Sequence, residues 1–118
     1  MDDRPSCVLD QNSGPRRLLE VIGEKWAVLA VYSLQPGPMR FNAIERALPG
    51  VSQKMLTQTL RRLETAGLVS RHAYAEVPPR VEYRLTDLGA TLAPVTDALC
   101  RWADEHGSAL IEPPSRAR

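Results

Sequence analysis

The stretch from Val51 to Leu68 leaves this chain little choice of local structure. Leu56, Leu60 and Leu63 recur at helical spacing and draw one apolar stripe. Ser52 supplies the kind of side-chain oxygen that caps a helix N-terminus. Gly67 stands where a left-handed residue should end the helix. On a helical wheel, Lys54, Thr57, Gln58 and Arg61 fall opposite the stripe. That face holds two cations and no acid, together with short donors and acceptors of the kind that read base edges. An ordinary solvated face mixes Glu with Lys, so the missing acid is mildly informative. A polar helix face is otherwise most often plain surface, and its neighbours must decide.

After Gly67 the period changes from helical to alternating. Leu68 to Ala75 is strand-like, Pro78-Pro79-Arg80 reads as a turn, and Val81-Glu82-Tyr83-Arg84-Leu85 alternates apolar with charged. This predicts a two-stranded hairpin with a basic tip directly behind the polar-faced helix. Ahead of that helix, Asn42 can cap a short helix running through Leu48, with Ile44, Ala47 and Leu48 apolar, and Pro49-Gly50 closes it. Two helices joined by the tight Leu-Pro-Gly-Val turn form a helix-turn-helix pattern. With the hairpin behind it, the order is that of a winged helix.

The flanks complete a single domain. Met1 to Gly14 shows no sustained apolar period and reads as a loosely held arm. Pro15 suits the start of a helix over Arg16 to Val21, with Leu18, Leu19 and Ile22 expected to face inward. Gly23 breaks it, and a helix from Lys25 to Leu34, apolar nearly all round, is expected to be the central buried one. Pro36-Gly37-Pro38 ends it, and Met39-Arg40-Phe41 has room for one brief strand. Thr86 or Asp87 should cap a final helix in which Leu88, Leu92, Val95, Leu99 and Trp102 recur three or four residues apart, with Pro94 kinking or shortening its start. That stripe exceeds what one small core needs, so part of it is expected to pack against a second copy. Residues 107–118 read as a disordered tail. Trp26, Phe41, Met55 and Tyr83 are expected in the core.

Composition narrows the function. With 118 residues the chain is one domain able to bury a core. No apolar run reaches the length of a membrane span, and Met-Asp-Asp-Arg-Pro lacks the features of a signal peptide. Cys7 and Cys100 form neither a disulfide framework nor a metal spacing, which fits a reducing cytoplasm. Cys100 is expected to be buried and Cys7 to lie on the arm. His72 and His106 have no partners at metal spacing. No Ser/His/Asp set, phosphate loop or paired-carboxylate motif is present, so neither enzyme nor cofactor is expected. Net charge is +1, but it is unevenly spread. Ser52 to Arg84 carries six cations against three acids, whereas Thr86 to Glu112 carries five acids against one cation. A basic middle and an acidic end point to two surfaces with different jobs.

Several words of the chain, in register, carry a resemblance: Ile22-Gly23-Glu24-Lys25-Trp26, Arg40-Phe41-Asn42, Ser52-Gln53-Lys54-Met55-Leu56-Thr57, Leu60-Arg61-Arg62-Leu63-Glu64, Gly67-Leu68-Val69, and Pro78-Pro79-Arg80-Val81-Glu82-Tyr83-Arg84-Leu85-Thr86. They resemble the HxlR-type winged helix regulators, which are related to the MarR family, over about Leu18 to His106. The resemblance implies an α+β, mainly α, winged helix-turn-helix with a two-stranded wing and a C-terminal dimerisation helix. It implies a domain over residues 15–106, and a cytoplasmic homodimer of bacterial type that binds double-stranded DNA. Its operator would be pseudo-palindromic and its effector a redox or small-molecule signal. Candidate DNA contacts are Ser52, Gln53, Lys54, Thr57, Gln58 and Arg61 on the recognition helix, Arg40 before the helix-turn-helix and Arg80 on the wing. Arg71, His72 and Arg84 are weaker candidates. Leu88, Leu92, Val95, Leu99 and Trp102 are the expected dimer contacts. Many family members carry a cysteine, used by some as a sensor, where this chain has Ser13, and serine has no thiolate chemistry; Cys7 is then either a shifted redox sensor or, the more ordinary reading, an inert thiol on the arm. The alternative reading is a winged helix kept as a protein-interaction or dimerisation module.

Overall fold

The computed structural model describes residues 13–109. In chain order the elements are α1 (Gly14–Ile22), α2 (Lys25–Ser33), β1 (Met39–Arg40), α3 (Phe41–Ala47), α4 (Gln53–Thr65), β2 (Val69–Tyr74), β3 (Arg80–Leu85), α5 (Asp87–Ala90) and α6 (Ala93–His106), followed by one 3-10 turn, Gly107–Ala109. Of the expected arm, residues 1–12 with Cys7 lie outside the described residues, whereas Ser13 caps α1, its hydroxyl accepting from the Arg16 amide at 3.2 Å, and Gly14 opens that helix. Of the expected tail, residues 107–109 form that turn and the rest lies outside the described residues.

Helix α2 is the centre, as its composition requires. Ala27, Ala30, Val31 and Leu34 are buried there, against Ile44 and Leu48 of the α3 segment and Leu56, Leu60 and Leu63 of α4. Small Ala side chains on α2 let α4 pack closely. The outward side of α2 stays wet at Tyr32. On α1, Leu18 and Val21 pack against the core, but Leu19 is 61% exposed, contrary to the expectation that it faces inward. With two turns, α1 has one buried edge only.

The three strands form an antiparallel sheet in the order β1-β3-β2. Met39 pairs with Tyr83 and Arg40 with Glu82. That pairing explains why Asn42 does not cap α3. Arg40, extended at φ −80° and ψ 158° by its strand partner, is itself the N-cap residue, and the helix begins at once with Phe41. Trp26, Phe41 and Tyr83 are half-buried against the core, whereas Met55 is half-buried outside it.

Two caps fix the ends of α4. The Ser52 hydroxyl accepts from the Met55 amide at 3.0 Å, and Gly67 takes φ +84°, a conformation that favours glycine. The turn after α4 is then laced to the end of the sheet. The Thr86 amide donates to the Leu68 carbonyl, its hydroxyl donates to the Gly67 carbonyl at 2.6 Å, and the same oxygen accepts from the Gly89 amide. Gly89 is buried so tightly that a Cβ there would lie 2.1 Å from the Leu68 carbonyl oxygen.

The single final helix expected from the sequence is two. Helix α5 ends at Ala90 and α6 starts at Ala93 with Pro94 in its first turn. Proline has no amide proton to donate, and its ring clashes with a carbonyl four residues back, so α5 cannot run on through it. Leu92, at the junction, packs against the core. Thr96 is buried, and its hydroxyl accepts from Gln35 Nε2 at 2.8 Å, tying α6 to the end of α2. Cys100 is half-buried rather than buried and borders a small polar hollow with Tyr32, Asp97, Arg101 and Asp104.

Candidate nucleic-acid interface

The outer face of α4 is polar throughout. Gln53, Lys54, Thr57, Gln58 and Arg61 are all exposed, one helical turn apart or less, while Leu56, Leu60 and Leu63 hold the opposite side in the core. The separation is a direct result of the 3.6-residue period. Thr59, whose polar type does not announce it, lies on the inward side with 1% exposure.

The side chains on this face differ in what they have free. Thr57 donates its hydroxyl proton to the Gln53 carbonyl at 2.8 Å, so it presents an acceptor and a methyl group outward. Ser52 is engaged as the cap and keeps its proton to give. Lys54 and Arg61 have no ion pair or hydrogen bond among the described residues. The next cation, Arg62, is committed: its Nη1 lies 2.9 Å from Glu24 Oε1 at the start of α2 and so braces α4 against the core. Arg40 is exposed and unpaired among the described residues, one residue ahead of α3.

The wing departs from its expected chemistry. Arg80 is not at the tip. The turn is made by residues 75–79, with Val77 98% exposed, and Arg80 opens β3 opposite Tyr74. Its Cζ sits 4.1 Å from the centroid of the Tyr74 ring and its Nη2 is 3.2 Å from Glu76 Oε2. Arg84 donates from Nη2 to the Tyr74 hydroxyl at 3.1 Å and lies 3.8 Å from Glu82, to which the same hydroxyl donates. The Nε atoms of both arginines are shut off from solvent without a partner, the mark of side chains laid flat on the hairpin. His72 is exposed and shares a hydrogen bond with Ser70.

Besides a hollow toward α1 lined by Val21, Gln58, Arg61, Arg62, Thr65 and Ala66, two shallow grooves border α4. One runs over Gln53, Lys54, Thr57, Gln58 and Arg61 with Phe41 at its edge. The other lies between α4 and the sheet and is lined by Phe41, Thr57, Arg61, Glu64, Arg71 and Tyr83. Arg71 is exposed and has no ion pair among the described residues. Its place beside Arg61 depends on how the sheet folds back on α4, which no local spacing encodes.

On the far side of the domain, Leu88, Val95, Leu99 and Trp102 are 51–58% exposed, whereas Leu92, expected with them, belongs largely to the core. Among the described residues no three His, Cys, Asp or Glu side chains gather at a metal-binding distance, and no helix is long and apolar enough to cross a membrane.

Known proteins share this arrangement. A family model described as HxlR-like helix-turn-helix matches residues 21–110. An uncharacterized HTH-type transcriptional regulator of Methanothermobacter thermautotrophicus is 51% identical over 87 residues, spanning 74% of this chain and 66% of that protein. Among solved structures, a MarR-family protein from Porphyromonas gingivalis W83 superposes with a TM-score of 0.78 at 34% identity, covering 86% of this chain and 98% of that one. The redox regulator HypR in its reduced form superposes at 0.77 with 40% identity, over 82% and 96%. A capped helix with a free polar face, the second of a helix-turn-helix, and a β-hairpin wing behind it thus occur together here, as the family model expects: the chain belongs to the HxlR-like helix-turn-helix family of transcriptional regulators.

Proposed function

We propose that the protein is a cytoplasmic, homodimeric regulator that binds double-stranded DNA sequence-specifically through α4. The observation that carries this is the outer face of α4: two cations with no partner among the described residues, flanked by Gln53, Thr57 and Gln58, on a helix tied by Arg62 to Glu24 behind it. A helix whose charged groups are spoken for inside the molecule would have little to offer a base edge. Here Gln58 can pair with adenine, and Lys54 or Arg61 with guanine, each good pair discriminating by about 1–3 kcal/mol. Ser52 and Gln53, at the helix N-terminus, stand close to where phosphates border the groove. Arg40 is a further phosphate candidate.

The exposed apolar side of α5 and α6 supports a two-fold dimer through Leu88, Val95, Leu99 and Trp102, with Leu92 contributing from the protomer core. Two α4 helices would then enter successive major grooves, and the operator would be a pseudo-palindrome with half-sites roughly one helical turn apart. The similarity to HypR favours a redox input.

The test is a titration of DNA upstream of the protein's own gene beside scrambled DNA, with wild type and Arg61→Ala. Specific binding that Arg61→Ala weakens by about 1–3 kcal/mol without unfolding the protein is expected. Equal, weak binding of both sequences would favour the interaction-module reading, and unchanged affinity in the variant would place the reading face elsewhere.

A further inference from the structure

We infer that Arg71, together with Arg61, seats one DNA backbone phosphate in the groove between α4 and the sheet, and that Arg80 and Arg84 serve the wing's own architecture instead. This rests on the DNA-binding reading above and adds to it a contact residue and a division of labour among the arginines. Winged hairpins invite the assumption that every arginine on them faces the nucleic acid. The contacts sort them differently.

Arg80 stacks on Tyr74 and is neutralised by Glu76, while Arg84 is held by the Tyr74 hydroxyl and lies beside Glu82. Both guanidinium groups have a covered Nε. Drawing either one away to a phosphate would break a cation–π contact and an ion pair, or a hydrogen bond to the Tyr74 hydroxyl, and leave Tyr74 without a partner that ties β2 to β3. Because β1 pairs only with Tyr83 and Glu82, the Tyr74–Arg80 end of the hairpin has no third strand beside it and little stability to spare for that.

Arg71 has none of these ties. It lies opposite Tyr83 in the β2–β3 register, so the two side chains share one face of the sheet, and that face looks across the groove to Thr57, Arg61 and Glu64 of α4. The groove holds about 450 Å³, ample for a phosphodiester and its water. Among the described residues its two guanidinium groups have no ion pair and Glu64 is the acid in its lining, so the site is cationic as it stands. Arg61 also borders the groove along Lys54 and Gln58. It therefore sits where the base-reading face meets the backbone-holding one. A strand of the duplex leaving the major groove would cross this junction.

The experiment is the salt dependence of binding to operator and scrambled duplexes for wild type, Arg71→Gln, Arg80→Gln and Glu64→Gln, with circular dichroism to confirm that each is folded. Each phosphate contact contributes about 0.9 to the slope of log K against log salt. Arg71→Gln should lower that slope by about one on both duplexes and weaken binding on the order of tenfold at low salt, leaving the operator-to-scrambled ratio unchanged. Glu64→Gln should tighten binding to both duplexes. Arg80→Gln should keep the wild-type slope. A wild-type slope in Arg71→Gln, or the loss of one contact in Arg80→Gln instead, would overturn the assignment while leaving the DNA-binding reading intact. No salt-dependent binding by the wild type would overturn both.

Discussion

Replacing Trp102 by alanine tests whether the acidic, apolar end of the molecule is where two copies meet. The Trp102 side of α6 is 52% exposed in the protomer, next to Val95 at 51% and Leu99 at 54%. A tryptophan buries about 150–250 Å² when fully enclosed, so roughly 100 Å² is left for a partner to cover. At about 25 cal/mol per Å² that area is worth ~2.5 kcal/mol, and a two-fold interface uses it twice, for ~5 kcal/mol. Ordering each side chain at the interface costs about 0.5–1.5 kcal/mol, which leaves a net of roughly 2–4 kcal/mol. The dimer dissociation constant should therefore rise by about 30- to 1,000-fold in Trp102→Ala. Sedimentation velocity over a dilution series reads this directly. The wild type should sediment as a dimer at concentrations where the variant is a monomer, and the variant's melting temperature should lose its dependence on concentration. Far-ultraviolet circular dichroism should be unchanged, since the ring neighbour of Trp102 within the protomer is the surface residue His106. A variant that dimerises as tightly as the wild type would refute the reasoning, and the exposed Leu19 on α1 would become the next apolar contact to test.

Other expectations follow from particular contacts. Gly89→Ala drives a Cβ into the Leu68 backbone carbonyl, with the Leu85 side chain also close, so α5 must shift off the turn that follows α4. Overpacking of this kind costs about 1–3 kcal/mol, and a thermal melt should fall by roughly 4–20 °C; an unshifted melt would mean that α5 is free to move. For a redox input, Cys7 is the thiol to follow, because Ser13 stands where the family's sensing cysteine is expected. A thiol oxidant should take two electrons and two protons from a pair of Cys7 thiols to join two copies, a covalent dimer on a non-reducing gel that Cys7→Ser abolishes. Its absence would leave a small molecule as the signal.

The sequence alone determined the elements whose cause is local. The Leu56, Leu60 and Leu63 stripe, the Ser52 cap and the Gly67 stop specify α4 and its polar face, because helical period and capping act within one or two turns. The alternation from Val81 to Leu85 specifies β3 in the same way. Tertiary structure decided whatever depends on partners distant in the chain. Asn42 lost the cap to Arg40 because β1 pairs with β3, some forty residues on. Leu92 left the exposed stripe for the core when Pro94 divided the helix, and Leu19 came to face solvent because α1 has only one buried edge. The arginines show the limit most clearly. In the sequence all of them count as one positive charge each; in the fold, Tyr74, Glu76, Glu82 and Glu24 occupy Arg80, Arg84 and Arg62, while Lys54, Arg61 and Arg71 keep their charge turned outward. Charge becomes available to a partner only where no nearer group has taken it, and which group is nearer is a property of the folded chain.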